Sequence, residues 1–332
     1  MMVRSIKIFF DSVVWRVSRN ISMFILVCLA LSTPLSFAYT EDSVPVRSGY
    51  VGIQDGWMFF TSIGTGEPLI FIHGGPGLDH TCLLPHMLEL SKNHQLIFYD
   101  QRGSGKSLNA SIDPCYLTPE QFIDDLDALC TALKLNQVTL VGHSWGALVA
   151  LAYAAYYPSN TKAVVALNPA PATGQDQIAF SQELTKRKVN FQKELVPFAD
   201  FTQFCSLTSD GVNQLYRTLF SLYFHNPQDV QHLNLTMEAA SAQSGYKVMG
   251  TISQQWWGKP STNLLPLFKS VNAPTFVIHG MSDVCPVSAT RSIVQALPNA
   301  QLVCFNDCGH FSYVEKTKEL FGMIQSFLIS LS

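Results

Sequence analysis

Charge is scarce in this chain and has no positive excess. Its 332 residues carry 21 Lys and Arg against 24 Asp and Glu, a formal net charge of −3, and charged residues make up only 14% of the whole. Release of counterions from a phosphate backbone needs clustered basic side chains, so nucleic acid is set aside as a partner. No Cys-x-x-Cys pair occurs, and the usual structural zinc sites go with it. Internal repeats and low-complexity tracts are missing too, which removes solenoids and disordered linkers. No metal or cofactor is expected.

Only one long apolar run is present, at the amino terminus. Arg4, Lys7, Arg16 and Arg19 precede Ile21 to Leu31, and Ser36-Phe37-Ala38 then supplies small residues where signal peptidase reads them. This order predicts a secretory signal over 1–38, cleaved after Ala38, and a product exported to the periplasm or beyond. Uncleaved, the run extended to Ala38 is long enough to anchor the chain in a membrane through residues 21–38. Bulky Ile25-Leu26-Val27 before Cys28 argue against lipid attachment. The remaining cysteines (Cys82, Cys115, Cys130, Cys205, Cys285, Cys304, Cys308) are odd in number, so at least one thiol stays unpaired within a monomer.

With 47% hydrophobic residues the chain can bury a sizeable core. From about Gly49 onward short β-rich runs alternate with amphipathic helices, the pattern of a mostly parallel sheet covered on both faces. Gly49 to Ile53 and Trp57 to Ile63 read as a hairpin around Asp55-Gly56. Buried strands are predicted at Leu69–His73, Gln95–Asp100, Gln137–Val141, Ala163–Leu167, Pro274–His279 and Ala300–Phe305. Thr118-Pro119-Glu120-Gln121 carries the signs of a helix start, with apolar Phe122, Leu126, Leu129 and Leu133 following at helical spacing. From Pro171 to about Leu265 the alternation stops, and helical stretches rich in Phe, Tyr and Trp replace it. The chain therefore divides into a core over 39–170 and 266–332 and an α-helical cap over 171–265.

Gly142-His143-Ser144-Trp145-Gly146 follows a predicted strand and opens a predicted helix, the context a Gly-x-Ser-x-Gly nucleophile elbow requires. A serine hydroxyl needs a base within hydrogen-bond reach, itself oriented by a carboxylate. In the α/β-hydrolase fold these follow in the order acid, then His, each after a later strand. Asp283 lies just past the strand ending at His279, and His310 just past the strand ending at Phe305. Asp307, on the same loop as His310, is better placed to shape that turn. His143 lies beside the nucleophile but points off the turn, and most of the other histidines, His80 among them, read as surface or capping residues. His73-Gly74-Gly75-Pro76-Gly77 follows its strand where one half of an oxyanion hole is expected, so Gly75 and Trp145 are the nominated backbone donors, with His73 fixing the loop. Asp100-Gln101-Arg102-Gly103-Ser104-Gly105-Lys106-Ser107 contains Gly-Lys-Ser, but Asp100 stands where a P-loop has its first glycine. It reads as a tight loop in which Asp100 pairs with Arg102. Cys285 and Cys308 share the two triad loops, where a bridge is conceivable, although two separate buried thiols are favoured.

These motifs, in this order and spacing, resemble the proline iminopeptidase (prolyl aminopeptidase) family of α/β-hydrolases over about 49–167 and 274–331. The resemblance implies removal of an amino-terminal residue, often proline, from a small peptide, with acidic cap residues holding the free amine. Of the cap glutamates Glu183, Glu194 and Glu238, the apolar neighbours of Glu238 make it the candidate for substrate binding. A carboxylesterase or lipase-like hydrolase of small apolar esters is the alternative, and a catalytically silent binding protein on the same fold a remote one. Oligomeric state is not written in the sequence.

Overall fold

Runs of consecutive apolar residues become strands buried on both faces in the computed structural model, which describes residues 44–331. The predicted signal segment, residues 1–38, lies outside the described residues. Strands β1 (Val46–Ile53), β2 (Gly56–Ile63), β3 (Glu67–Ile72), β4 (His94–Tyr99), β5 (Val138–His143), β6 (Thr161–Leu167), β7 (Thr275–Gly280) and β8 (Ala300–Phe305) form one sheet in the order β1-β2-β4-β3-β5-β6-β7-β8. β1 and β2 pair antiparallel, as do β2 and β4, and every other pairing is parallel. All residues of β5 and β7 are buried, as a sheet covered by helices on both sides demands. Within β3 the side chains alternate, Ile70 and Ile72 joining one apolar cluster and Leu69 and Phe71 the other.

Helix α1 (Pro119–Ala132) starts as its sequence predicts, with Thr118 accepting from the Gln121 amide. The Gln121 side chain does not return to the cap; it donates to Asp125 at 3.1 Å. Helix α2 (Trp145–Tyr156) is buried from Trp145 through Ala154, the behaviour of a helix apolar on every side.

Between β6 and β7 the described chain contains helices and turns, chiefly α3 (Gly174–Arg187), α4 (Ser209–Ser221) and α5 (Ala239–Ile252). Thr173 and Asn263 form an isolated antiparallel bridge, flanked by amide bonds from Gly174 to the Thr262 carbonyl and from Leu264 to that of Ala172. The helical segment thus leaves the sheet layer and rejoins it at one place. Helices α6 (Val287–Ala296) and α7 (Thr317–Ile329) complete the core. Among the described residues no helix is long and apolar enough to cross a membrane.

Candidate active site

Ser144 occupies the single residue between β5 and α2, at φ 56° and ψ −117°, a conformation L-residues seldom adopt. Its surroundings hold it there. The Ser144 amide donates to the Leu167 carbonyl at 2.9 Å, and its carbonyl accepts from the Ala147 and Ala170 amides at 3.1 Å each. A Cβ on Gly146 would lie 2.1 Å from the Ile72 carbonyl oxygen, and one on Gly142 2.3 Å from that of Gly146, so neither glycine can be replaced without moving backbone.

Asp283 sits in the loop after β7 and His310 in the loop after β8. His310 Nδ1 lies 2.9 Å from both Asp283 oxygens and donates to the carboxylate, which leaves Nε2 as the free basic nitrogen. Asp283 also accepts from Asn168 Nδ2 at 3.0 Å and from the Cys285 amide at 2.9 Å. Burial alone would raise the Asp283 pKa, but the charge and hydrogen bond of His310, with His279 and the Cys285 amide, outweigh it and hold the carboxyl below its ordinary value. Ser144 and His310 line one cavity of about 90 Å³, together with Gly75 and a wall of aromatic side chains. Trp145, first in α2, has an amide with no carbonyl one turn earlier to receive it. Its ring is buried against Phe122, Trp256 and Trp257, and its indole N–H donates to Gln101. His73 braces the Gly74-Gly75 loop as its position suggests: Nδ1 donates to the Gly74 carbonyl and Nε2 accepts from the Gln101 amide.

Several expectations need correction. Glu238 does not reach this cavity. The segment before α5 is extended, so alternation turns Leu235 and Met237 inward and leaves Glu238 exposed, accepting from Ser209 Oγ at 3.0 Å. Asp100 and Arg102 do not pair with each other. Arg102 makes a two-pronged contact with Asp125, both bonds at 2.7 Å, a better match for a planar guanidinium than a carboxylate two residues away in a tight turn. Asp100 instead accepts from His80 Nδ1 at 2.7 Å and from the His80 and Lys106 amides. His143 is part of the site: it lines the cavity and its Nε2 donates to the His310 carbonyl at 2.9 Å. Burial, reinforced by His310, pushes its pKa down to about 3, so it is neutral. One expectation stands: Cys285 and Cys308 are two separate buried thiols.

Two supporting residues escaped the sequence reading. Asn168, at φ 44°, uses one amide nitrogen to tie Asp283 to the Gly309 carbonyl; asparagine is among the few side chains at ease in that region, and Asn-Pro closing a strand was the available signal. Arg187, at the end of α3, donates to the Leu222, Ser282 and Asp283 carbonyls at 2.9, 3.1 and 3.1 Å, joining the helical segment to the loop of Asp283. Asp283, Cys285 and His310 are the described trio whose donor atoms lie close enough to hold a metal. Both Asp283 oxygens are already engaged by His310, Asn168 and the Cys285 amide, so these hydrogen bonds account for the cluster.

The chain is similar to known proteins along most of its length. The proline iminopeptidase of Heyndrickxia coagulans is 28% identical over 307 residues, covering 88% of this chain and all of that protein. That of Lactobacillus crispatus is 27% identical over 283 residues, covering 79% and 89%. The crystal structure of the Mycobacterium smegmatis proline iminopeptidase matches with a TM-score of 0.63 at 22% identity, over 86% of this chain and 98% of that one. The esterase RhEst1 of a Rhodococcus species matches with a TM-score of 0.66 at 20% identity, over 87% and 100%. The sequence model of the alpha/beta hydrolase fold matches residues 67–317. With an elbow serine between β5 and α2 and relatives named as peptidases along most of its length, the chain is a serine hydrolase and belongs to the alpha/beta hydrolase fold family.

Proposed function

We propose that Ser144 is the nucleophile of a Ser144–His310–Asp283 triad that hydrolyses small apolar substrates through an acyl-enzyme. The observation that carries this reading is a shared cavity: Ser144 and His310 both open on it, while Asp283 fixes His310 Nδ1 from behind. Ser144 Oγ attacks the substrate carbonyl as His310 Nε2 takes its proton, and the imidazolium so formed is stabilised by Asp283. The Gly75 and Trp145 amides receive the negative oxygen of the tetrahedral intermediate. His310 then protonates the leaving group, and water, activated by the same nitrogen, releases the acyl group.

The names of the curated relatives support an aminopeptidase that releases amino-terminal proline or another apolar residue from a short peptide. A carboxylesterase is the second reading, favoured by the absence of any acidic side chain among the described residues that line the cavity. In either case residues 171–265 act as the cap over the site. The order of charged, apolar and small residues in 1–38 supports export, with Tyr39 as the first residue of the mature chain.

A fluorophosphonate probe should label wild type at Ser144 and leave Ser144→Ala unlabelled. Turnover should fall by about 10⁴-fold or more for Ser144→Ala, and by a similar factor for His310→Ala, because the triad acts as a unit. Folded wild type that resists the probe, or His310→Ala with near wild-type turnover, would remove the proposal.

A further inference from the structure

We infer that the group this site admits beside Ser144 is uncharged: the cavity accepts an apolar acyl portion and discriminates against a free ammonium. The inference rests on Ser144 being the nucleophile, and of the two substrate readings above it selects the ester over the aminoacyl peptide.

The walls set the class. Phe180, Phe220, Tyr223, Met249, Trp257 and Phe311 are among its walls, and no Asp, Glu, Lys or Arg of the described residues lines it. Each cap carboxylate is accounted for elsewhere. Glu183 pairs with Arg187 and Lys186, Asp176 accepts from Thr173, and Asp200 caps a short helix at Phe201–Cys205. Glu194, Asp210 and Glu238 are exposed, Asp229 is half-buried and accepts from Asn226 Nδ2, and all four line other surfaces or none. Asp283 stands behind His310 with both oxygens engaged.

The titratable residues that do line the cavity cannot supply a negative charge. His143 is kept neutral by burial, and burial likewise pushes the Cys285 thiol and the Tyr216 and Tyr223 phenols up, so all stay protonated in the neutral range. His310 gains a positive charge during the proposed reaction and would repel a bound ammonium. Aromatic faces attract cations, but they replace none of the hydrogen bonds that a compact, strongly hydrated ammonium gives up on entering. An amine therefore enters by losing its proton first, which costs tenfold in apparent affinity for each pH unit below its pKa.

Prolinamide and cyclopentanecarboxamide test this, since they share a ring size and differ in an NH₂⁺ replaced by CH₂. Each is used to protect Ser144 of the full chain from fluorophosphonate labelling, between pH 6 and pH 9. Cyclopentanecarboxamide should protect at pH 6 at a concentration about tenfold or more below that of prolinamide, and the gap should close by about tenfold per unit as the amine deprotonates. Stronger protection by prolinamide at pH 6, a gap that widens with rising pH, or protection by neither compound would overturn the inference. Absence of labelling without any competitor is a different result, and it removes the Ser144 assignment instead.

Discussion

Replacing Gly245 by alanine tests how α5 bears on the loop that carries the proposed oxyanion donor Gly75. Gly245 lies inside α5, where glycine is about 1 kcal/mol worse than alanine, so helix propensity by itself predicts a more stable protein. Contact predicts the reverse. A Cβ on Gly245 would lie 2.1 Å from the Gly77 carbonyl oxygen and 2.9 Å from Gly77 Cα, and a Cβ on Gly77 would meet the Gly245 oxygen at 2.4 Å. Two backbones touch here, and neither has a side chain that can rotate aside. Overpacking of this kind costs about 1–3 kcal/mol, which leaves a net loss of roughly 0–2 kcal/mol after the propensity gain. At about 2 °C per kcal/mol for a chain of this size, Tm should drop by up to about 4 °C. The larger effect is kinetic, because Gly77 ends the loop that holds Gly75 beside Ser144. Loss of one oxyanion donor costs about 10²–10³ in kcat, so a displaced donor should cost about tenfold. Thermal melting and kcat per fluorophosphonate-titrated site measure the two effects separately. A Tm raised by about 2 °C with kcat within twofold would mean that α5 does not press on this loop, and the reasoning would fail.

Local patterns made most of the core legible in the sequence. Ala300–Phe305 is a strand over the predicted residues, and the other strands differ at their ends by a few residues, because apolar runs fix which segments are buried more sharply than where pairing stops. Thr118 caps its helix because capping depends on residues within one turn. What the sequence hid were partners far apart along the chain. Arg102 and Asp100 are neighbours in sequence, yet Arg102 finds Asp125 on α1 and Asp100 finds His80, choices that exist only once β3, β4 and α1 are assembled. His143 was readable as the residue beside the nucleophile but not as a bond to the His310 loop. Glu238 failed for a further reason. Apolar neighbours suggest burial for a residue in a helix, whereas in extended chain the same neighbours at alternate positions mean exposure.

Two further substitutions probe the links between the helical segment, the loops and the sheet. Arg187→Ala leaves the Ser282 and Asp283 carbonyls without their guanidinium donor, and since that side chain is about a quarter exposed, water should replace part of the loss. We expect about 1–2 kcal/mol of destabilisation, a roughly tenfold fall in kcat per titrated site with KM little changed, and partial recovery in Arg187→Lys; an unchanged kcat per titrated site would reduce Arg187 to a surface strap. Asp100→Asn tests a buried charge that no step of the proposed reaction uses. Burial works to raise the Asp100 pKa, but the hydrogen bond and charge of His80, with His73 and the Lys106 amide, prevail and hold it below the ordinary value. A folded-state pKa below the unfolded one stabilises the protein above the unfolded pKa, about pH 4, and that contribution disappears as pH falls through the lower folded value. The substitution should therefore cost about 3 kcal/mol at pH 7, where one partner of a buried pair is lost. At pH 3 the cost should already be smaller, because the unfolded wild-type chain then takes up a proton that the folded carboxyl still resists, and this proton uptake offsets the gain from the buried charge. Urea melts of both proteins at pH 7 and pH 3 give the two differences. An equal cost at both values would mean that Asp100 contributes through shape and neutral hydrogen bonds, with its charge bringing no stability to the loop that supports His73.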